Sequence, residues 1–232
     1  MAESVKQSIG RRGSGQLVLE LAGPAGAGKS TLSRALARKI GATSREVWGQ
    51  PVLPLLGNGM RLLPRFGGLW LNSRSLLWSE TRHMVRLQTL RRKLLRSPNG
   101  TRLIFDEGPV FALAWLRGFG HVTFRQSPSD VWWRAALRDW ASLMDVVVVV
   151  DAPDRVLAER IRTRAHDHEV KGFSDEEIER WMARFRDALQ WVLDEMAEHG
   201  GPLVVRLSSK DERAEEMADR LLEELSGRVH AR

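Results

Sequence analysis

The stretch LAGPAGAGKST, residues 21–31, follows a short apolar run and ends on a lysine and two hydroxyls. Gly23, Gly28, Lys29 and Ser30 fit the spacing G-x-x-x-x-G-K-[ST]. Gly23, Pro24, Ala25, Gly26, Ala27 and Gly28 carry little bulk, so the backbone can curl and aim successive N–H groups at one anion. A helix starting near Lys29 adds the positive end of its dipole. Lys29 can reach the β- and γ-phosphates of a nucleotide, the Ser30 hydroxyl can ligate Mg²⁺, and Thr31 extends the motif. A chemically inert glycine-rich turn has no reason to place Lys-Ser at this offset. The expected chemistry is nucleotide phosphate binding, with ATP and Mg²⁺ as cofactors.

Two further stretches could complete such a site. In LIFDEGPV, Asp106 and Glu107 end a strand-like segment and precede Gly108-Pro109. Strand C-termini line the ligand crevice of an open parallel sheet. Asp106 is therefore expected to face the phosphate loop and share Mg²⁺ with Ser30, usually through water; the alternative is a solvated strand-end acid. Alternation sends Glu107 to the opposite face, unless the strand has already ended. In DRVLAERIRTRAHDHEVKG, Arg160 and Arg164 lie four apart, on one helix face. A guanidinium there can stack on a base or fork onto phosphate oxygens. The alternative is an exposed basic helix paired with Asp154, Glu159 or Asp167. Residues 160–173 are polar, without apolar period, and are expected to form a lid with little to bury.

These residues need a scaffold, and the pattern supplies one. QLVLELA (16–22), TRLIFD (101–106), DVVVVVD (145–151) and PLVVRLS (202–208) read as strands covered on both faces. SREVWG (44–49) is a weaker fifth. Helix-like segments fall at 29–40, about 73–96, about 129–143, 154–165, 174–198 and 211–225. Strand–helix alternation predicts an α/β fold, a three-layer doubly wound sheet of about five parallel strands. Residues 50–72 mix Pro, Gly, large apolar residues and Arg; they read either as a packed surface loop or as a substrate-side flap.

Composition narrows the function. The 232 residues suit one large domain with a lid or insertion. The expected division is a mobile N-terminal tail (1–15) and a single domain (16–228), with a substrate-side region at 45–100 and the lid at 160–173. Cysteine is absent, which excludes disulfides and thiolate metal sites. The net charge is +7, but the arginines are scattered, which argues against nucleic acid as a partner. Arg11-Arg12 precedes an apolar run that is too short for an export signal and contains Glu20. No stretch approaches the roughly twenty apolar residues of a membrane span. A cytoplasmic chain is expected, and a homodimer is compatible.

The order of motifs resembles the P-loop nucleoside and nucleotide kinases, including the adenylate-, thymidylate- and deoxynucleoside-kinase-like groups. The resemblance runs through residues 16–225 and is specific in three short motifs. It implies strand order 2-3-1-4-5, a strand-end acid after the phosphate loop and a lid after the fourth strand. ERIRTRAH looks like the lid entry of adenylate kinases, which implies that Arg160 packs on adenine and Arg164 contacts phosphate. SSKDERAEE resembles the segment bordering the adenine edge, which implies a backbone role for Ser209 and Lys210. DEGP departs from the Asp-Arg of thymidylate kinases, the Glu-Arg-Ser of deoxynucleoside kinases and the Asp-Gly-aromatic-Pro-Arg of adenylate kinases. Residues 45–100 match none of their acceptor patterns.

The expected function is transfer of the γ-phosphoryl group of Mg-ATP to a small acceptor: a nucleoside, a nucleotide or another hydroxylated metabolite. Such transfer needs mainly positioning and charge neutralisation, which Lys29, Asp106, Arg160 and Arg164 would supply. Glu46, near the end of the second strand, is the candidate to accept an acceptor's hydroxyl proton, and Arg65, Arg74 and Arg82 are candidates to hold an acidic acceptor; each also fits a plain surface role. A regulatory P-loop ATPase, and a kinase or ATPase acting on polynucleotides, are the alternatives. His121, His166 and His168 lack a third partner at metal-ligand spacing. Trp132, Trp133 and Trp140 sit at helix spacing and read as core, and Trp48 or Trp70 could stack on an aromatic acceptor.

Overall fold

A computed structural model describes residues 16–46, 78–121, 131–163, 170–210 and 212–230. The tail, most of the 45–77 stretch, Arg65, Arg74, Trp48, Trp70, Arg164, His166 and His168 lie outside the described residues.

Five strands form one parallel sheet: β1 (Leu17–Ala22), β2 (Thr43–Glu46), β3 (Arg102–Asp106), β4 (Val146–Asp151) and β5 (Leu203–Ser208). Their order is β2-β3-β1-β4-β5, as the resemblance implies. Seven helices are described: α1 (Lys29–Ile40), α2 (Trp78–Leu95), α3 (Pro109–Phe119), α4 (Val131–Leu143), α5 (Asp154–Arg162), α6 (Asp175–Glu198) and α7 (Ala214–His230).

Period-2 geometry divides each inner strand between two cores. Val18, Ala22, Phe105, Val147 and Val149 pack with α2, α3, α4 and part of α6. Leu19, Leu21, Ile104, Val148 and Val150 pack on the other face with α1, α5, α7 and the start of α6. With both faces covered, β1 and β4 read as continuous apolar runs. One residue breaks the run: Glu20, on the face shared with Val18 and Ala22 and fully buried.

Helix α3 is absent from the sequence-based reading. PVFALAWLRGF is apolar all round, so it shows no amphipathic stripe, the pattern of a helix buried on all sides. Its boundary signals are nevertheless present: Pro109 opens it and Gly120 closes it. Trp133 and Trp140 are buried in the core, and Trp133 meets Trp191 edge-on at 5.3 Å between centroids.

Candidate active site

The loop between β1 and α1 leaves the sheet pressed against β4. Gly23 has φ +146°, and a Cβ there would collide with the Val150 carbonyl oxygen. Gly28, also left-handed, caps α1, whose first turn carries no acidic residue. Lys29 follows at once. Only 4% of it is exposed. Its Nζ donates to the carbonyls of Gly23 at 3.0 Å and Pro24 at 2.9 Å, lies 3.3 Å from Glu107 Oε1, and stands 5.6 Å from the Phe111 ring centroid. Ser30 and Thr31 are exposed on the first turn of α1. Lys29 is thus a buried brace of its own loop, with more contacts than a solvent-facing lysine.

Asp106 ends β3 and is 4% exposed. It stands in register with Leu21 on β1 and Glu46 on β2. Of the two readings of Glu107 the structure takes the second: the strand has already ended, at Asp106, and Glu107 takes φ +59°. It is the only non-glycine residue with positive φ among those described. That conformation costs about 1–2 kcal/mol and swings the carboxylate back onto Lys29.

Glu20 explains how the turn is held. Its Oε2 accepts from the Val110 N–H at 2.8 Å and its Oε1 from the Phe111 N–H at 2.7 Å. It therefore caps α3 from a neighbouring strand, satisfying amides that a helix start leaves unpaired. Gly108 has to be glycine: a Cβ there would stand 2.7 Å from the Glu20 carboxylate. Burial pushes the Glu20 pKa up to about 8, against the pull of the Phe111, Val110 and Gly108 amides. The nearby charge of Glu107 pushes it the same way as burial. An acid inside an otherwise apolar strand was the available signal.

On the other side of the loop, Arg160 donates to Ser209 Oγ at 3.1 Å and Ser209 O at 2.8 Å, with longer contacts of 3.4 Å to Gly26 O and Lys210 O. Arg160, Ser209, Lys210 and the phosphate loop are therefore brought together. Arg186, which the sequence reading passed over, donates through Nε to Asp151 at 2.7 Å and through Nη2 pairs with Asp154 at 2.6 Å. It ties the end of β4 and the start of α5 to α6. Its pKa is raised above the ordinary arginine value, first by the Asp151 hydrogen bond.

The lid expectation changes in its details. Residues 160–163 finish α5 and its cap, and Arg162 pairs with Asp175. Val170 is fully buried and belongs to the core on the α1, α5 and α7 face of the sheet, so this stretch does bury an apolar anchor. Ser174 and Glu177 form a reciprocal capping box that starts α6. Glu46 closes β2, and its side chain lies outside what is described. Arg82 is exposed on α2, whereas Arg86, one turn on, is buried.

The donor set fits Mg²⁺ with a nucleotide. Ser30 and Asp106 offer hard oxygens, as this ion prefers, with few protein ligands and the remainder from phosphate and water. Among the described residues no cluster of three or more His, Asp or Glu could hold a metal unaided. When bound, the ion would neutralise phosphate charge.

The central-strand phosphate loop and this strand order define a P-loop protein with the fold of nucleoside and nucleotide kinases. The AAA domain family matches residues 19–182, and the chain belongs to that family. Solved structures share the fold at low identity. Thymidylate kinase from Candida albicans is 13% identical, with TM-score 0.58 and 93% of each chain covered. The YorR protein from Bacillus subtilis, in complex with phosphorylated GDP, is 14% identical, with TM-score 0.56 and coverage of 92% of this chain and 98% of that one. Deoxyadenosine kinase from M. mycoides with bound dATP is 16% identical, with TM-score 0.54 and coverage of 90% and 99%. No curated protein matches the sequence.

Proposed function

We propose that this protein transfers the γ-phosphoryl group of Mg-ATP to a hydroxyl or phosphate of a small acceptor, most readily a nucleoside or nucleotide. The observation that carries the reading is Lys29, buried at the head of α1 and facing Glu107, the acid just after β3. The kinases among the structural neighbours support this acceptor class. In this reading the loop amides and Lys29 hold the β- and γ-phosphates, and Ser30 and Asp106 hold the metal. Arg160 borders the base beside Ser209 and Lys210, and Arg164 reaches phosphate from the segment that follows α5. For a hydroxyl acceptor, its oxygen forms the new P–O bond, the bridging P–O bond breaks, ADP leaves with that electron pair, and Glu46 receives the proton. Glu46 ends the strand next to Asp106, which puts it on the same crevice edge.

The test is ADP release from Mg-ATP with and without a panel of nucleosides, nucleotides, sugars and hydroxylated antibiotics, with products read by mass spectrometry. Acceptor-dependent ADP release with a phosphorylated product supports the reading. Hydrolysis that no acceptor stimulates would favour a regulatory ATPase instead.

A further inference from the structure

Gly23 O, Pro24 O and Glu107 Oε1 stand 3.0, 2.9 and 3.3 Å from Lys29 Nζ, one acceptor for each of its three donors. The first two belong to the loop itself. The third is a full negative charge, delivered by a side chain from the turn after β3 at the cost of a left-handed backbone. The surrounding packing keeps it there. Gly108 is pressed against the Glu20 carboxylate, Glu20 fixes the first turn of α3, and Phe111 of that turn covers Lys29. A local strain held by packing from three elements calls for a function.

We propose that Glu107 is a competing counterion of the phosphate loop: its carboxylate holds the Lys29 donor that an incoming phosphate must take, so each phosphate ligand binds more weakly than it would to a Lys29 free of that charge. This rests on the reading that Gly23–Thr31 binds nucleotide phosphates. The physical argument is one of competition. Every anion that takes Lys29 pays the same penalty for parting it from Glu107. Glu107 is 36% exposed at its side chain, so the displaced carboxylate has solvent to turn into. A role as metal ligand predicts the opposite sign with Mg²⁺ present: removing the charge would then weaken binding of the magnesium complex.

The experiment is calorimetry on the full chain and its Glu107→Gln variant, with ATP and with tripolyphosphate in EDTA, then ATP with Mg²⁺. Glu107→Gly serves as a second variant, since glycine accepts the left-handed turn. The expected result is metal-free binding of both ligands tightened about tenfold in each variant, the scale of one unit charge partly screened by solvent. Unchanged or weaker metal-free binding, with the parent chain still binding ATP, overturns the counterion role and leaves the nucleotide reading standing. Loss confined to the Mg²⁺ arm assigns Glu107 to the metal and likewise overturns it. No binding of either ligand by any of the proteins ends both readings.

Discussion

Replacing Glu20 by Gln should change how folding stability depends on pH. Glu20 is fully buried on the central strand, and its pKa rises from 4.5 to about 8, chiefly through desolvation. Between those values the unfolded chain has released its proton while the folded chain keeps it. The unfolded state then binds fewer protons, so stability falls as pH rises, by up to roughly tenfold in the folding constant per pH unit. Stability from this group is full below about pH 4.5 and is lost as pH climbs toward about 8. Across the window the sum approaches about 5 kcal/mol, against a total of roughly 5–15 kcal/mol for a typical domain. Gln cannot ionise and removes this slope, although its NH₂ now faces one of the two α3 amides, an offset of about 1–3 kcal/mol at every pH. Denaturant unfolding of both proteins from pH 5 to 8 is the assay. The stability of Glu20→Gln relative to the parent should improve steadily with pH. Parallel curves would show that the α3 amides hold Glu20 ionised in the folded chain, and the argument from burial would fail.

Lys29→Met should abolish turnover; because Lys29 also braces the Gly23 and Pro24 carbonyls, a lowered melting temperature is expected too, read by circular dichroism. Asp106→Asn keeps the shape and removes the charge, so turnover should drop by about 10²-fold or more across a Mg²⁺ titration. Arg160→Ala breaks the bridge to Ser209 and should chiefly raise the nucleotide Kd, whereas Arg164→Ala should lower kcat more than it weakens binding. Gly108→Ala places a methyl 2.7 Å from the Glu20 carboxylate and should destabilise by about 1–3 kcal/mol, measured by denaturant unfolding.

Much of the scaffold was legible because its signals are local. The β-branched run at 146–150 admits hardly any reading but a strand buried on both faces. GPAGAGKS fixes a loop by steric demand, and α1 spans Lys29–Ile40, as its pattern predicts. Amphipathic helices such as α6 show an apolar stripe that period 3.6 exposes. Helix α3 failed that test because burial on every side erases the stripe, so only its end signals remained. Val170 escaped notice for a related reason: one apolar residue in a polar stretch has no period, and the core it joins is assembled from residues far from it in sequence.

The candidate site divides along the same line. Gly23–Thr31, Asp106 and Arg160 occur in short motifs whose spacing carries their meaning. Glu20, Glu107 and Arg186 acquire theirs only from partners 90, 78 and 35 positions away. Glu20 sits three residues before the phosphate loop begins at Gly23, yet its partners are on α3. A buried acid in a central strand is costly unless its oxygens find donors. The first turn of a helix supplies free N–H groups, and here α3 places its own against the strand. The Glu in LVLELA and the Pro-opened helix after DEGP therefore require each other. The acid needs a helix N-terminus to be buried at all, and the helix needs an acceptor because glycine at its cap offers no side chain. That mutual requirement fixes where Glu107 must turn, and so couples the core of the sheet to the charge on Lys29.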